Sequence, residues 1–233
     1  MYFQILENRW IDGIIYSGVT GATEEEKQNV HAILEQKIPI VLVDREIEDY
    51  FTSAVLIDNK KAAFDANNYC IKLGHKQIGF IAGPLKTRIF MERFNGYKKA
   101  LQKSGIEFNE DLVQEGDLTI KSGVSAAKKL LAKKRSLTVI FASSDSMAIG
   151  AIKEIQKEGL RVPEDISVIG FDDIPLASLV SPTLTTVAQP KYQIGAEAMN
   201  LLIRMIEEKE VPKSKIILDT KLIVRESTCK PKV

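Results

Sequence analysis

Polar and acidic side chains follow several short apolar runs of this sequence, where parallel strands would end. They are Ser17, Asp44, Arg45, Asp58, Asn59, Ser144, Asp145, Asp172 and Asp173. Taken singly, each is typical of a turn or a helix N-cap. Taken together with Arg93, which falls in a helical pattern, they offer several hydrogen-bond acceptors and one fork-shaped donor. A neutral, polyhydroxylated ligand would need such an array.

Enzyme motifs in the sequence are weak. The run 82–87 (AGPLKT) ends like a P-loop but lacks a glycine before Lys86, and Pro84 removes an N–H that would cradle phosphate. His31 and His75 have no partners at metal-ligand spacing. Asp172 and Asp173 would fit a divalent cation or, more simply, the cap of a following helix. We therefore predict no catalysis, no cofactor and no metal site.

The elements that must position these side chains follow an alternating pattern. Apolar runs rich in Val and Ile predict strands at 11–17, 39–44, 54–58, 77–82, 112–116, 138–142, 167–171, 185–188 and 216–225. Between several of these strands, apolar residues recur at helical spacing. Thr23 with Glu26 marks the start of one helix, Gly74 marks the end of another, and Pro190 precedes a helix at 191–207. This pattern predicts an α/β fold with parallel sheets covered by helices. Pro190 and Pro212 fit hinges between two lobes.

Composition narrows the classes of partner. The formal charge is +1, from 32 basic and 31 acidic residues, so no global field favours nucleic acid or an anionic membrane. Only two cysteines occur, and we find no secretory signal or run long enough to span a bilayer. We expect a cytoplasmic protein without membrane contact.

Ordered motifs connect these features to a known family. They are 11–15 (IDGII), 38–44 (IPIVLVD), 57–59 (IDN), 73–83 (LGHKQIGFIAG), 93–97 (RFNGY), 141–150 (FASSDSMAIG), 162–173 (VPEDISVIGFDD), 182–187 (PTLTTV) and 222–227 (LIVRES). In this order they resemble the successive signatures of LacI/GalR transcription regulators, over about residues 11 to 228.

The resemblance implies a two-lobed, periplasmic-binding-protein-like (type I) fold that closes over a small effector, a sugar or sugar derivative. The lobes would comprise 1–57 with 190–213, and 58–189 with 214–233. Family positions that touch effectors match Ser17, Asp44, Ile89, Arg93, Leu118, Ser144, Asp172 and Gln189. Arg93 would donate paired hydrogen bonds to adjacent hydroxyls, while Asp172 and, from the other lobe, Asp44 would accept from hydroxyls. Replacing Arg93 or Asp172 by alanine would then abolish the response without unfolding the chain.

Departures from the family pattern qualify this picture. Ser144 stands where members often have Asn, Leu118 where an aromatic ring stacks on the sugar, and Ile89 where a polar residue is common. The family's helix-turn-helix headpiece and the first strand–helix–strand have no counterpart before residue 11, apart from a partial helix predicted at 2–9. The N-terminal lobe is therefore expected to be incomplete. Operator DNA would be bound only through the missing headpiece. The resemblance also implies a homodimer.

Two other classes share parts of the pattern. A transport-type sugar-binding protein has the same two-lobed fold, and a small α/β enzyme would use Asp145, Asp172 and Asp173 on a sugar or phosphate. Sequence upstream of residue 1 would separate regulator from transport protein, since the first would show a helix-turn-helix and the second an apolar signal.

Overall fold

The chain folds into two α/β units. The computed structural model describes residues 11–18, 24–47, 52–133, 137–208 and 212–232. The smaller unit comprises residues 1–58 with 190–219, and the larger unit comprises residues 59–189 with 220–233. Each unit is built on its own sheet.

The described elements alternate between strand and helix along most of the chain. The helices are α1 (Glu24–Glu35), α2 (Asn59–Leu73), α3 (Arg88–Lys103), α4 (Ile120–Lys133), α5 (Asp145–Lys157) and α6 (Lys191–Glu207), with short 3-10 helices at Glu110–Leu112 and Pro175–Ser178. The strands are β1 (Ile14–Ser17), β2 (Ile40–Val43), β3 (Ser53–Ile57), β4 (Ile78–Ala82), β5 (Val113–Glu115), β6 (Val139–Ala142), β7 (Ser167–Asp172), β8 (Thr185–Ala188), β9 (Lys215–Leu218) and β10 (Lys221–Ile223).

Both sheets are parallel apart from one edge. The smaller sheet has the order β1-β2-β3-β9, with every pair parallel. The larger sheet has the order β10-β8-β7-β6-β4-β5, and only β10 runs antiparallel, against β8. Its strands β4, β6 and β7 consist mainly of buried apolar residues, as expected for strands covered on both faces. The predicted α/β class with parallel sheets is confirmed.

The last predicted strand is wrong in one respect. Residues 216–225 do not form one strand, because β9 pairs with β3 in the smaller sheet and β10 pairs with β8 in the larger one. The chain thus changes sheet after Asp219, whereas we placed the last boundary after residue 213. For helix α4 the sequence indicates only a solvated end near Lys133 and no start, although its buried alanines and Leu130 follow helical spacing. Thr23 and the helix predicted at 2–9 lie outside the described residues.

Two predicted helix boundaries are confirmed by local geometry. Gly74 follows α2 with a φ of 108°, and the amides of Gly74 and His75 donate to the carbonyls of Ile71 and Cys70 at 2.9 and 3.2 Å. This pairing closes the helix in the Schellman manner, for which glycine is the favoured residue. At the other boundary, the Pro190 carbonyl accepts from the Ile194 amide as α6 begins. Among the described residues, no helix is both long and apolar enough to cross a bilayer.

His75 forms a hydrogen bond with the C-terminal segment of the chain. This side chain is 1% exposed, and its Nε2 lies 2.9 Å from the Cys229 carbonyl. Because a carbonyl only accepts, Nε2 carries the proton and Nδ1 accepts from the Thr138 hydroxyl at 2.9 Å. Burial lowers the pKa of His75 below its usual 6.5. The hydrogen bond to Cys229 acts in the opposite direction, but its effect is smaller. The neutral ring is therefore the form that the fold holds.

This arrangement predicts a loss of stability in acid. Since the pKa of His75 is lower in the folded chain than in the unfolded chain, its contribution is present above pH 6.5 and is lost as the pH falls below that value. The loss is at most about 1.4 kcal/mol per pH unit. Thermal unfolding of wild type and His75→Gln at pH 7.5 and 5.5 measures it. The wild type should lose more stability than the variant, and equal losses would contradict the assignment.

Close helix packing in the larger unit depends on glycine. A Cβ added to Gly150 on α5 would lie 2.2 Å from the backbone carbonyl oxygen of Ile120 at the start of α4. The clash is with backbone, so it is relieved only by moving a helix. Gly195 on α6 is also helical and has nothing within 4 Å of its added Cβ.

The two glycines should therefore respond oppositely to alanine. We expect Gly150→Ala to cost about 1–3 kcal/mol through overpacking. Gly195→Ala, the matched control, should gain roughly 0.8–1 kcal/mol from helix propensity alone. Urea unfolding monitored by circular dichroism measures both, and a Gly150→Ala chain as stable as the wild type would contradict the packing.

Candidate functional site

The larger unit gathers polar residues at one edge of its sheet. Strands β8, β7, β6 and β4 are parallel neighbours, so their carboxyl ends meet at the same edge. Ser143 and Ser144 follow β6, Asp172 ends β7, and Gln189 follows β8. Such an edge is where open α/β sheets bind ligands.

Arg93 on α3 is the centre of this group. It is 2% exposed, its Nε donates to Asn59 Oδ1 at 2.8 Å, and its Nη1 donates to the Ser143 carbonyl at 2.6 Å. Nη1 also lies 3.5 Å from the Asp172 carboxylate, and the guanidinium carbon lies 3.6 Å from the centre of the Phe171 ring. Residues from α2, β7 and the loop after β6 therefore fix the plane of the guanidinium.

Asp172 completes the group with Gln189. The Gln189 amide donates to Asp172 Oδ1 at 2.7 Å, and the Asp172 side chain remains 27% exposed. Its backbone has a φ of 111°, which an L residue rarely adopts, and that of Asp173 is 49°. Backbone strain of this kind gathers at binding sites, where the surrounding structure holds it. The structure thus brings three predicted residues, Arg93, Asp172 and Gln189, into one contact set.

The other predicted residues of the larger unit lie around this set with different roles. Ser144 is 6% exposed and caps α5, accepting from the Met147 amide at 3.4 Å, which is the simple role for a serine at this position. Leu118 has a φ of 71° and packs against the hydrophobic core. Ile89 is half-buried on α3 and precedes Arg93 by four residues, so the two share a helix face.

The smaller unit carries the remaining two predicted residues. Ser17, which is exposed, ends β1 in register with Val43, and Asp44 follows Val43 directly. The Asp44 backbone has a φ of 55°, and its amide donates to the Val55 carbonyl at 2.9 Å. These two side chains therefore stand at neighbouring strand ends of the smaller sheet.

Three residues that hold Arg93 were absent from the predicted site. Asn59 was noted only as a polar strand end, and Ser143 takes part through its backbone carbonyl, which no side-chain pattern reveals. Phe171 contributes its ring beneath the guanidinium. Asn59 was the one with a usable signal, since it lies two residues after the end of β3.

The acidic residues weighed for an enzyme are already engaged. Both Asp145 carboxylate oxygens accept hydrogen bonds inside the protein, and Asp173 lies 2.8 Å from the Arg225 guanidinium. Among the described residues, no group of three His, Cys, Asp or Glu side chains is arranged to hold a metal ion.

Two α/β units with parallel sheets and a ligand-type polar set at the strand ends define a class of binding domain. Residues 68–228 match the family model described as a periplasmic binding protein-like domain. The chain is 38% identical over 230 residues to the HTH-type transcriptional repressor CytR of Escherichia coli K12, covering 97% of this chain and 65% of the repressor. It thus spans about two thirds of the length of that relative.

Solved structures agree with this class. A transcriptional regulator CelR–cellobiose complex superposes with a TM-score of 0.89 at 33% identity, over 97% of this chain and 68% of that one. A sugar-binding LacI-family regulator from Escherichia coli, complexed with phosphate, superposes with a TM-score of 0.82 at 32% identity, over 99% of this chain and 80% of that one. The chain belongs to the LacI family of transcription regulators. The family resemblance read from the sequence is confirmed.

Proposed function

We propose that this chain is the effector-binding and dimerisation part of a sugar-responsive, DNA-binding transcription regulator. The observation that carries the proposal is the contact set of Arg93, Asp172 and Gln189 at the strand ends of the larger sheet. A planar guanidinium that is held rigidly beside a carboxylate offers donors and acceptors to neighbouring hydroxyls. The LacI-family membership supports the same function.

Each member of the proposed site has a chemical role. Arg93 donates to adjacent hydroxyls, Asp172 accepts from them, and Gln189 orients the Asp172 carboxylate. Ile89 and Leu118 supply an apolar side, and Ser144 flanks it as a helix cap. In the smaller unit, Ser17 and Asp44 are the residues that we propose for effector contacts.

An effector regulates only if it binds one conformation of the protein better than another. Each tenfold preference shifts the equilibrium by about 1.4 kcal/mol. In this proposal the shift changes affinity for operator DNA, and the active form is a homodimer in the cytoplasm. The named relatives are a repressor and regulators, which favours regulation over transport or catalysis.

Titration of the full-length protein with neutral sugars tests the proposal. Isothermal titration calorimetry with cellobiose, D-ribose and D-glucose measures effector binding. Gel-shift assays with and without the bound sugar measure whether the sugar lowers or raises the affinity for operator DNA. Sedimentation velocity reports the dimer. A full-length protein that binds no DNA, or one whose DNA binding no small molecule changes, would refute the function.

A further inference from the structure

A second carboxylate, Asp145, is bound to the loop that follows Asp172 and Asp173. It is the first residue of α5 and is 0% exposed. One of its oxygens accepts from the Ile174 amide at 2.8 Å, and the other accepts from the Thr186 hydroxyl at 2.6 Å. Ile174 belongs to the loop after β7, and Thr186 belongs to β8. One side chain therefore ties the loop and the neighbouring strand to the start of a helix.

The loop that Asp145 holds is the strained one. Asp172 and Asp173 both have positive φ, at 111° and 49°. Two consecutive non-glycine residues in this region revert to ordinary backbone unless the surrounding structure fixes them. The Ile174 amide is the next backbone donor along the chain, so its hydrogen bond to Asp145 fixes the end of the strained segment.

Strand β7 is shaped to admit this carboxylate. A Cβ added to Gly170 would lie 2.2 Å from Asp145 Oδ1 and 2.9 Å from Leu184 Cδ2. Gly170 therefore leaves the space that the carboxylate occupies. The two donors and this space together form a built internal site for a carboxylate at the position of Asp145.

We propose that Asp145 is a positioning residue of the effector site, which holds residues 172–174 so that the Asp172 carboxylate stays beside Arg93 and Gln189. The inference rests on the proposed function. It assigns to Asp145 no contact with the effector, and it replaces the catalytic role that was weighed from the sequence.

The charge of Asp145 changes near neutral pH. Burial raises its pKa to about 7, the hydrogen bonds from Thr186 and Ile174 oppose the rise, and the charges of Asp172 and Asp173 add to it. The cations facing this cluster are Arg93, beside Asp172, and Arg225, beside Asp173. An effector that excludes water from the strand ends disfavours the charged form of Asp145 further. Sugar affinity is therefore expected to fall as the pH rises from 6 to 8.

Three variants of the full-length protein separate geometry from charge. Asp145→Ala removes both hydrogen bonds. Thr186→Val, with little change of shape, removes one donor to Asp145 and also the acceptor of the Asp173 amide at 3.4 Å, so its effect on exchange is compared at the Ile174 amide. Asp145→Asn still gives the Ile174 amide and the Thr186 hydroxyl a hydrogen-bond partner, because its carbonyl accepts from Ile174 and its NH2 group donates to Thr186. Its side chain does not titrate. Asp165→Ala is the matched control, since Asp165 precedes β7 at the opposite end and pairs with Arg161.

The measurements are calorimetric titration with cellobiose, D-ribose and D-glucose at pH 6 and 8, and hydrogen exchange of amides 172–174. We expect Asp145→Ala to lower sugar affinity about tenfold and Thr186→Val to lower it less, with faster exchange in both. Asp145→Asn should bind as the wild type does at pH 6 and should lose the pH dependence. Asp165→Ala should match the wild type in affinity.

The failures of the two proposals are distinguishable. Affinity within twofold of wild type in Asp145→Ala, or unchanged exchange of the loop in that variant, overturns the positioning role. A wild-type protein whose DNA binding no small molecule changes contradicts the proposed function, whereas faster exchange of amides 172–174 in Asp145→Ala still supports the positioning role of Asp145.

Discussion

Replacing Arg93 by alanine is expected to remove sugar binding and to destabilise the larger unit at the same time. Because Arg93 is 2% exposed and bound to Asn59, Ser143 and Asp172, its loss leaves buried acceptors without a donor. The Asp172 carboxylate is 27% exposed and keeps its hydrogen bond from Gln189, so the cost comes mainly from the Asn59 and Ser143 acceptors, at about 1–3 kcal/mol each. For a unit of this size that lowers the melting temperature by roughly 10 °C. Differential scanning calorimetry and sugar titration measure the two losses.

The burial of Arg93 changes how its role in binding must be tested. The expectation that the alanine variant stays fully folded takes no account of these contacts, so Arg93→Lys is the sharper probe. Lysine keeps the positive charge, but its single ammonium group cannot contact Asn59, Ser143 and Asp172 at once as the planar guanidinium does. Sugar affinity should therefore fall more than tenfold in a chain that still folds.

The same helix provides a matched control. Arg88→Ala removes an exposed arginine whose Nε lies 2.9 Å from Glu92, a surface pair worth about 0–1 kcal/mol. It should leave both sugar affinity and melting temperature close to wild type. A folded Arg93→Lys protein that binds sugar as tightly as the wild type would exclude Arg93 from the site.

Local signals in the sequence predict the frame of the site well. The strand ends after β6, β7 and β8 follow from apolar runs that stop at polar residues, and parallel topology then brings Asp172 and Gln189 together. Gly74 and Pro190 mark helix boundaries because their backbone preferences act within a few residues. These features depend on neighbours along the chain, which sequence patterns report directly.

Features that depend on distant parts of the chain escaped prediction. The pairing of Arg93 with Asn59 joins residues 34 apart, and its bond to Ser143 involves a backbone oxygen. The hydroxyl of Ser144 caps α5, which is the role that residue type alone predicts, and its contact with the effector stays a prediction. The positive φ of Asp172 and Asp173 is only weakly signalled by residue type, since aspartate adopts positive φ more readily than most residues but far less readily than glycine. The last predicted strand was wrong because one continuous apolar run supplies two strands, β9 in the smaller sheet and β10 in the larger sheet.

Replacing Asp172 by asparagine should weaken sugar binding by about 10- to 100-fold while the fold is kept. Asparagine tolerates positive φ better than most residues and still accepts from Gln189, so neither the backbone nor that hydrogen bond is lost. The variant removes the negative charge and replaces one acceptor oxygen by an NH2 donor, and a hydrogen bond to a charged group contributes about 1.5–3 kcal/mol. Calorimetric titration at pH 7 with the most tightly bound sugar measures the change.

Asp173→Asn tests whether sugar binding depends on the negative charge of Asp172 itself or on any negative charge nearby. Asp173 has the same side chain and also positive φ, but its carboxylate faces Arg225 rather than Arg93. If the effector is gripped by the Arg93–Asp172 pair, affinity should fall in Asp172→Asn and change less than about threefold in Asp173→Asn, since about 0.6 kcal/mol separates threefold affinities. Equal losses in both variants would mean that the general negative potential of the strand ends, rather than a defined contact, governs binding.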